Sequence, residues 1–258
     1  MKAVAILKSK WIVRAYVLAL ALAVWQVLGQ SVNPIIFATP AKTAATFVRL
    51  WSDGTLPSET TITLETVFAG FLLSAAVAIP IGLVMGRIRL VEYAVDPYVN
   101  FVYATPLVAI IPIALIWFGP TNVATYFIIL LHTAPPILIN TMAGVKNTER
   151  TMVETGRSFG FGGLRLWQKV VLPSSLPYIM AGLRIGIGAA LIGTMVAEIF
   201  LYNTGLGYVL VNETALFNSA AVISAVLIIM ALGVILAELA KWIDRRFLSW
   251  AGGASGLG

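Results

Sequence analysis

Apolar positions in this chain form runs far longer than a strand's alternation or a surface helix's stripe, and the polar residues gather in short islands between them. A helix rises about 1.5 Å per residue against a hydrocarbon layer ~30 Å thick, so about 20 apolar residues make one crossing. Charge-free runs then predict six spans, at about 11–29, 64–86, 92–118, 122–145, 175–202 and 219–245. The uncharged stretch from Asp96 to Lys146 is more than twice a bilayer long, so it must fold back. The break is legible at "FGPTN", Phe118 to Asn122, where Thr121 or Asn122 can cap the helix that follows. "SSLP", Ser174 to Pro177, reads as a Ser cap with Pro in the first turn of the fifth span.

Two islands are too structured to be plain loops. "PAKTAATFVRLW", Pro40 to Trp51, predicts a short helix lying at the interface. "NTGLGYVLVNE", Asn203 to Glu213, is too apolar for a free loop and too short to cross, which predicts a re-entrant segment buried against protein. Basic residues before the first span also fit a signal peptide, but the apolar run continues through "VWQVLG" past any small-residue cleavage site.

Composition agrees. The chain of 258 residues is 59% hydrophobic and 11% charged, with mean hydropathy +0.93, against roughly a quarter charged in soluble domains. The fold class is an all-α integral membrane protein, with residues 1–258 as a single transmembrane domain. The absence of Cys excludes disulfides and thiolate chemistry, and the lone His132 cannot build a histidine-rich metal site.

The net charge of +6 takes its meaning from topology. Six spans put both termini on one side. Lys2, Lys8, Lys10, Arg14, Arg87, Arg89, Lys146, Arg150, Arg157, Arg165, Lys169, Lys241, Arg245 and Arg246 share that side, and only Lys42 and Arg49 fall opposite, with Arg184 inside the fifth span. The positive-inside rule then predicts cytoplasmic termini. No nucleic-acid partner is needed to explain the charge, and contact with membrane lipid is expected.

The cytoplasmic island from Thr148 to Pro173 mixes charge, glycines and aromatics. Met152, Val153, Gly156 and Phe159 recur at helical spacing, Gly160 ends that helix, and a second amphipathic stretch, Leu164 to Val171, is expected to halt at Pro173. Glu154, two small residues (Thr155 and Gly156), three of any kind, Gly160, nine more, then Val170, one more and Leu172-Pro173 make a long fixed spacing. It resembles the E-A-A-x3-G-x9-I-x-L-P loop of binding-protein-dependent ABC importer permeases. Thr155 and Gly156 replace the alanines and Val170 the isoleucine. "YATPLVAIIPIALIWFG" (Tyr103 to Gly119), "AGLRIGIG" (Ala181 to Gly188), "VAEIF" (Val196 to Phe200) and "TGLGYVL" (Thr204 to Leu210) resemble the taurine, nitrate and sulfonate branch, over about residues 60–247.

The resemblance implies an alternating-access permease subunit of the bacterial inner membrane, not an enzyme. It would act as a homodimer with two cytoplasmic ATPase subunits and an extracytoplasmic solute-binding protein. The loop would be a coupling helix seated in a groove of the ATPase. Glu154 would pair with a basic group or cap amides there, Thr155 and Gly156 would permit close approach, Gly160 would make the turn, and Leu172-Pro173 would close the motif. The implied solute is small and anionic, of the nitrate, sulfonate or taurine kind. ATP and Mg would sit on the partner and no cofactor on this chain, which has no G-x4-G-K-[ST]. "GIGAALIG", Gly186 to Gly193, has the wrong spacing for a dinucleotide loop and reads as helix packing.

Pro106 and Pro112 in the third span, and Pro135 with Pro136 in the fourth, are expected to bend helices in mid-membrane. Gly82 with Gly86 and Gly182 with Gly186 are small-x3-small pairs that allow close helix approach. Ionisable residues within spans are candidates for the pathway or gate. Glu198 either serves there or hydrogen-bonds the re-entrant segment, His132 either serves there or packs, and Arg184 either touches solute or makes an inner-side ion pair or lipid anchor. Glu238, Lys241, Asp244 and Arg245 have the spacing of a solvated ion-paired face. Two rival classes are an autonomous ion-coupled carrier or channel and an intramembrane enzyme. No inverted repeat, no paired buried carboxylates, and no nucleophile and base on adjacent helices are visible in the sequence.

Overall fold

The computed structural model describes residues 10–33, 35–201 and 204–247. Lys2, Lys8, Asn203 and the expected end of the fifth span at residue 202 lie outside the described residues. The helices are α1 (Lys10–Ser31), α2 (Pro40–Ser52), α3 (Thr55–Arg87), α4 (Arg89–Ala104), α5 (Leu107–Phe118), α6 (Asn122–Lys146) and α7 (Arg150–Ser158), followed by α8 (Gly163–Leu201), α9 (Leu206–Ala215) and α10 (Ser219–Phe247). Among the described residues five of these are long and apolar enough to cross a membrane, and the bent pair α4–α5 can supply a sixth crossing.

Glycine contacts set the helix directions. A Cβ on Gly70 would lie 2.6 Å from Ile129, on Gly82 2.8 Å from Thr141 and on Gly86 2.5 Å from Val145, so α3 and α6 run parallel in near backbone contact. Two parallel neighbours require the chain between them to return, which α4–α5 does. Along α8, Gly193 approaches Ile129, Gly186 and Gly182 approach Ile137 and Asn140, and Gly144 of α6 approaches Ser175 and Tyr178, so α8 runs antiparallel to α6. Both small-x3-small pairs therefore face the central helix α6, where loss of side-chain bulk permits the dispersion contacts that hold helices together in lipid. Helix α10 packs back along α8 and α2 lies across the start of α10, where the Ser224 hydroxyl donates to Thr43 O at 3.3 Å.

Several expectations are revised. The third span is not one helix over 92–118: α4 and α5 meet at 104°. Thr105, directly before Pro106, is extended (ψ 128°) and its hydroxyl donates back to Phe101 O, so Pro106 opens α5 instead of kinking a continuous helix. Pro112 does lie inside α5, and Pro135 and Pro136 lie inside α6. Thr121 stands at the start of α6, but its hydroxyl donates to Phe118 O and caps no amide. The helix that carries the second span begins at Thr55, before the apolar run that opens at Leu64. Asp53 accepts the Thr55 N–H at 3.0 Å, which holds its carboxyl below the usual carboxylate range, and Gly54 at φ 85° turns the chain from α2 into α3.

Ser175 does not cap the fifth span, because α8 runs unbroken from Gly163 and the Ser175 hydroxyl donates to Leu172 O within it. Pro173 likewise halts nothing. A proline ring collides with the carbonyl four residues back. Here the turn before it, Trp167–Val171, is widened to π geometry, with the Leu172 N–H donating to Trp167 O, and the helix continues past Pro173.

Candidate functional site

The loop from Thr148 to Val171 folds as a hairpin of α7 against the first turns of α8. At the end of α7 the Gly160 N–H donates to Arg157 O (2.9 Å) and the Phe161 N–H to Gly156 O (3.0 Å). With Gly160 at φ 76°, this is a Schellman C-cap, a conformation that glycine adopts without strain. It reverses the chain within two residues and lays α7 on the π turn. Gly156 is buried there: a Cβ would meet Leu166 at 2.8 Å and Val170 at 2.9 Å. Gly156 thus faces this chain's own α8, while its neighbours Glu154 and Thr155 face outward. Of the apolar face read from the sequence, Val153 is half-buried, whereas Met152 is 48% and Phe159 76% exposed.

Glu154 is held by Arg150, whose Nε donates to it at 2.9 Å one turn earlier. Met152 reaches α8, where the Ser174 hydroxyl lies 3.5 Å from its sulfur. Leu172 and Pro173 are half-buried in the continuing helix. Six residues of the motif thereby divide. Glu154 and Thr155 are exposed, Gly156 and Gly160 shape the hairpin, and Leu172 and Pro173 lie within the helix that carries it.

At the opposite end of α8 lies a second cluster. Glu198, 3% exposed, accepts the Gly207 N–H (2.9 Å) and the Thr63 hydroxyl (2.9 and 3.0 Å to its two oxygens). Thr63 in turn accepts the Leu206 N–H at 2.9 Å, and Glu59, one turn before it on α3, accepts the Gly205 N–H. Three successive amides at the N-terminus of α9 are thus satisfied by side chains of two spans. Gly205, at φ 89°, is required for this, since a Cβ would collide with the Glu198 carboxylate. The re-entrant reading was right about burial: Leu206, Gly207 and Val209 are buried.

Arg184 does not reach this cluster. It pairs with Asp244 of α10 at the other end of the molecule, beside a small apolar cavity of about 120 Å³. Asp244 is therefore buried (6% exposed), not part of a solvated face, while Glu238 and Lys241 do pair on the surface at 2.7 Å. His132 is half-buried, close to Gly193 of α8. Glu59 and Thr63 are functional residues that the sequence alone did not single out. The i, i+4 spacing of Glu59 and Thr63 was visible, but their partner lies 135 or more residues away along the chain.

Comparison with known proteins places the chain in a family. The family described as "Binding-protein-dependent transport system inner membrane component" matches residues 78–249. The chain belongs to that family. This permease is thus a membrane-embedded transport subunit, not an enzyme. A Methanocaldococcus jannaschii protein named as an ABC transporter permease is 34% identical over 238 residues, 90% of this chain and 89% of the relative. The taurine transport system permease protein of Escherichia coli is 27% identical over 91% of the permease and 88% of its own length. The bicarbonate transport system permease protein of Synechococcus elongatus is 32% identical over 74% of the permease and 69% of its own length. Among solved structures, the MetNI methionine ABC transporter in an inward-facing conformation superposes with TM-score 0.63 over 71% of the permease and 92% of that chain, at 18% identity, a likeness of fold.

Proposed function

We propose that this permease carries a small oxyanion-bearing solute inward by alternating access, driven through α7 by a separate ATPase that holds the ATP and Mg. Relatives named for taurine, aliphatic sulfonates and bicarbonate support that solute class. The permease pairs with a second copy of itself, engages two ATPase subunits on the cytoplasmic side, and receives solute from an extracytoplasmic binding protein. Both termini lie in the cytoplasm, and the chain forms one transmembrane domain.

The observation that carries this reading is the division within the hairpin. Glu154 and Thr155 are offered to a partner on a helix whose inner side, at Gly156, is locked to α8. A continuous 39-residue helix, roughly 58 Å long at 1.5 Å per residue, then joins α7 to the Glu198 cluster at the far side. Force applied at α7 moves the start of α8, and α8 carries the acid that holds α9. In this scheme α9 is the outer gate, Glu198 its latch, and the break at Pro106 a joint in the wall. Arg184 and His132 are structural, because Arg184 is committed to Asp244 and His132 packs on α8.

The test is a pull-down of the tagged chain from its native membranes, wild type beside Glu154→Lys, with mass spectrometry of the co-purifying proteins. An ATPase recovered with the wild type and lost with the variant is the expected result. If a folded wild-type chain yields no ATPase in mild detergent, the proposal is wrong and an autonomous carrier replaces it.

A further inference from the structure

We propose that the cavity between the ends of α3, α4 and α6 is a binding site for the phosphate headgroup of an anionic diacyl lipid. It has a volume of about 410 Å³ and is lined by Gly86, Arg87, Arg89, Glu92, Tyr93 and Lys146. Lys146 is already paired with Glu92. Neither Arg87 nor Arg89 has a carboxylate partner among the described residues; each lies on an aromatic ring instead, Arg87 5.6 Å from the Trp167 centroid and Arg89 5.7 Å from that of Tyr93. The site therefore gathers two guanidinium groups that no carboxylate among the described residues neutralises, at the start of α4, where the first-turn acid Glu92 is itself taken up by Lys146.

Its depth identifies the occupant. Arg87 is the last residue of one candidate span and Lys146 the last of another, so the cavity sits where hydrocarbon gives way to headgroups. Beside it Leu90 is 78% and Ile88 45% exposed, an apolar shelf for acyl chains that a free inorganic anion would not need. Basic pockets between transmembrane helices at this level suit anionic headgroups.

The contact between Arg87 and Trp167 gives occupancy a consequence. Trp167 opens the π turn on which α7 rests, so a phosphate that orders Arg87 also braces the coupling hairpin.

The experiment is native mass spectrometry of the full chain titrated with phosphatidylglycerol and, separately, phosphatidylethanolamine. Each basic residue near an anionic surface is worth roughly fivefold in affinity. The first phosphatidylglycerol should bind wild type more tightly than phosphatidylethanolamine, and weaken roughly fivefold in Arg87→Gln and in Arg89→Gln. Glu92→Gln, which frees Lys146, should tighten it by a similar factor, a gain that misfolding cannot imitate. Arg165→Gln, a loop charge outside the cavity, should change nothing. An equal loss in Arg165→Gln, equal binding of the two lipids, or displacement of the lipid by millimolar inorganic phosphate would each overturn the assignment.

Discussion

Replacing Glu198 by alanine tests whether the far end of α8 holds α9 in place. The substitution strands the Gly207 N–H and the Thr63 hydroxyl in a site where Glu198 is only 3% exposed. An orphaned buried donor costs about 1–3 kcal/mol, and loss of an acceptor at a helix N-terminus adds about 0.3–1 kcal/mol. Allowing for a water that enters the space left behind, the sum is about 3–4 kcal/mol. That is roughly a 200- to 1,000-fold rise in the open population of α9. Glu198→Gln keeps one carbonyl oxygen for the Gly207 N–H and should cost about 1–2 kcal/mol. Hydrogen exchange in lipid nanodiscs reads the effect directly: peptides covering 204–215 should lose protection by that factor in the alanine variant and by about tenfold in the glutamine variant. Peptides from α7 should be unchanged. Wild-type protection over 204–215 in Glu198→Ala would refute the latch, since the amides would then be held by something other than this carboxylate.

Gly156→Ala should stay within about 1 kcal/mol of wild type, because Leu166 Cδ1 can swing away and alanine favours a helix by up to about 1 kcal/mol, which offsets the shift that the stiff Val170 must make; Gly156→Leu should instead lift α7 from α8, lowering solute-stimulated ATPase activity of the reconstituted complex at least tenfold while leaving α9 protected. Arg184→Ala leaves Asp244 buried without its cation and should cost about 2 kcal/mol, discounted because Arg184 is 46% exposed. The double variant with Asp244→Asn should recover most of that in a thermal melt, and failure to recover would mean that Arg184 acts through its packing.

Helix existence was readable because a lipid solvent leaves the backbone few options: long apolar runs must satisfy their own amides. The hairpin was readable at Gly160 because an αL cap has a residue signature. Each proline misjudged in the sequence depended instead on something the residue cannot announce. Pro173 lies mid-helix because the turn before it widens, and Val170 of that turn packs against Gly156 of α7. Pro106 breaks its helix where Pro112, Pro135 and Pro136 do not, although all remove one amide donor. Pro135 and Pro136 sit buried in the central helix, which α3 and α8 both grip, so bending there would open packed glycine contacts. The turn at Thr105 has no such clasp: Phe101, Tyr103 and Val108 around it are all more than half exposed. Whether a proline breaks a span is thus decided by what grips the helix on either side. That grip is made by residues far away in the chain, as the Glu198 latch is.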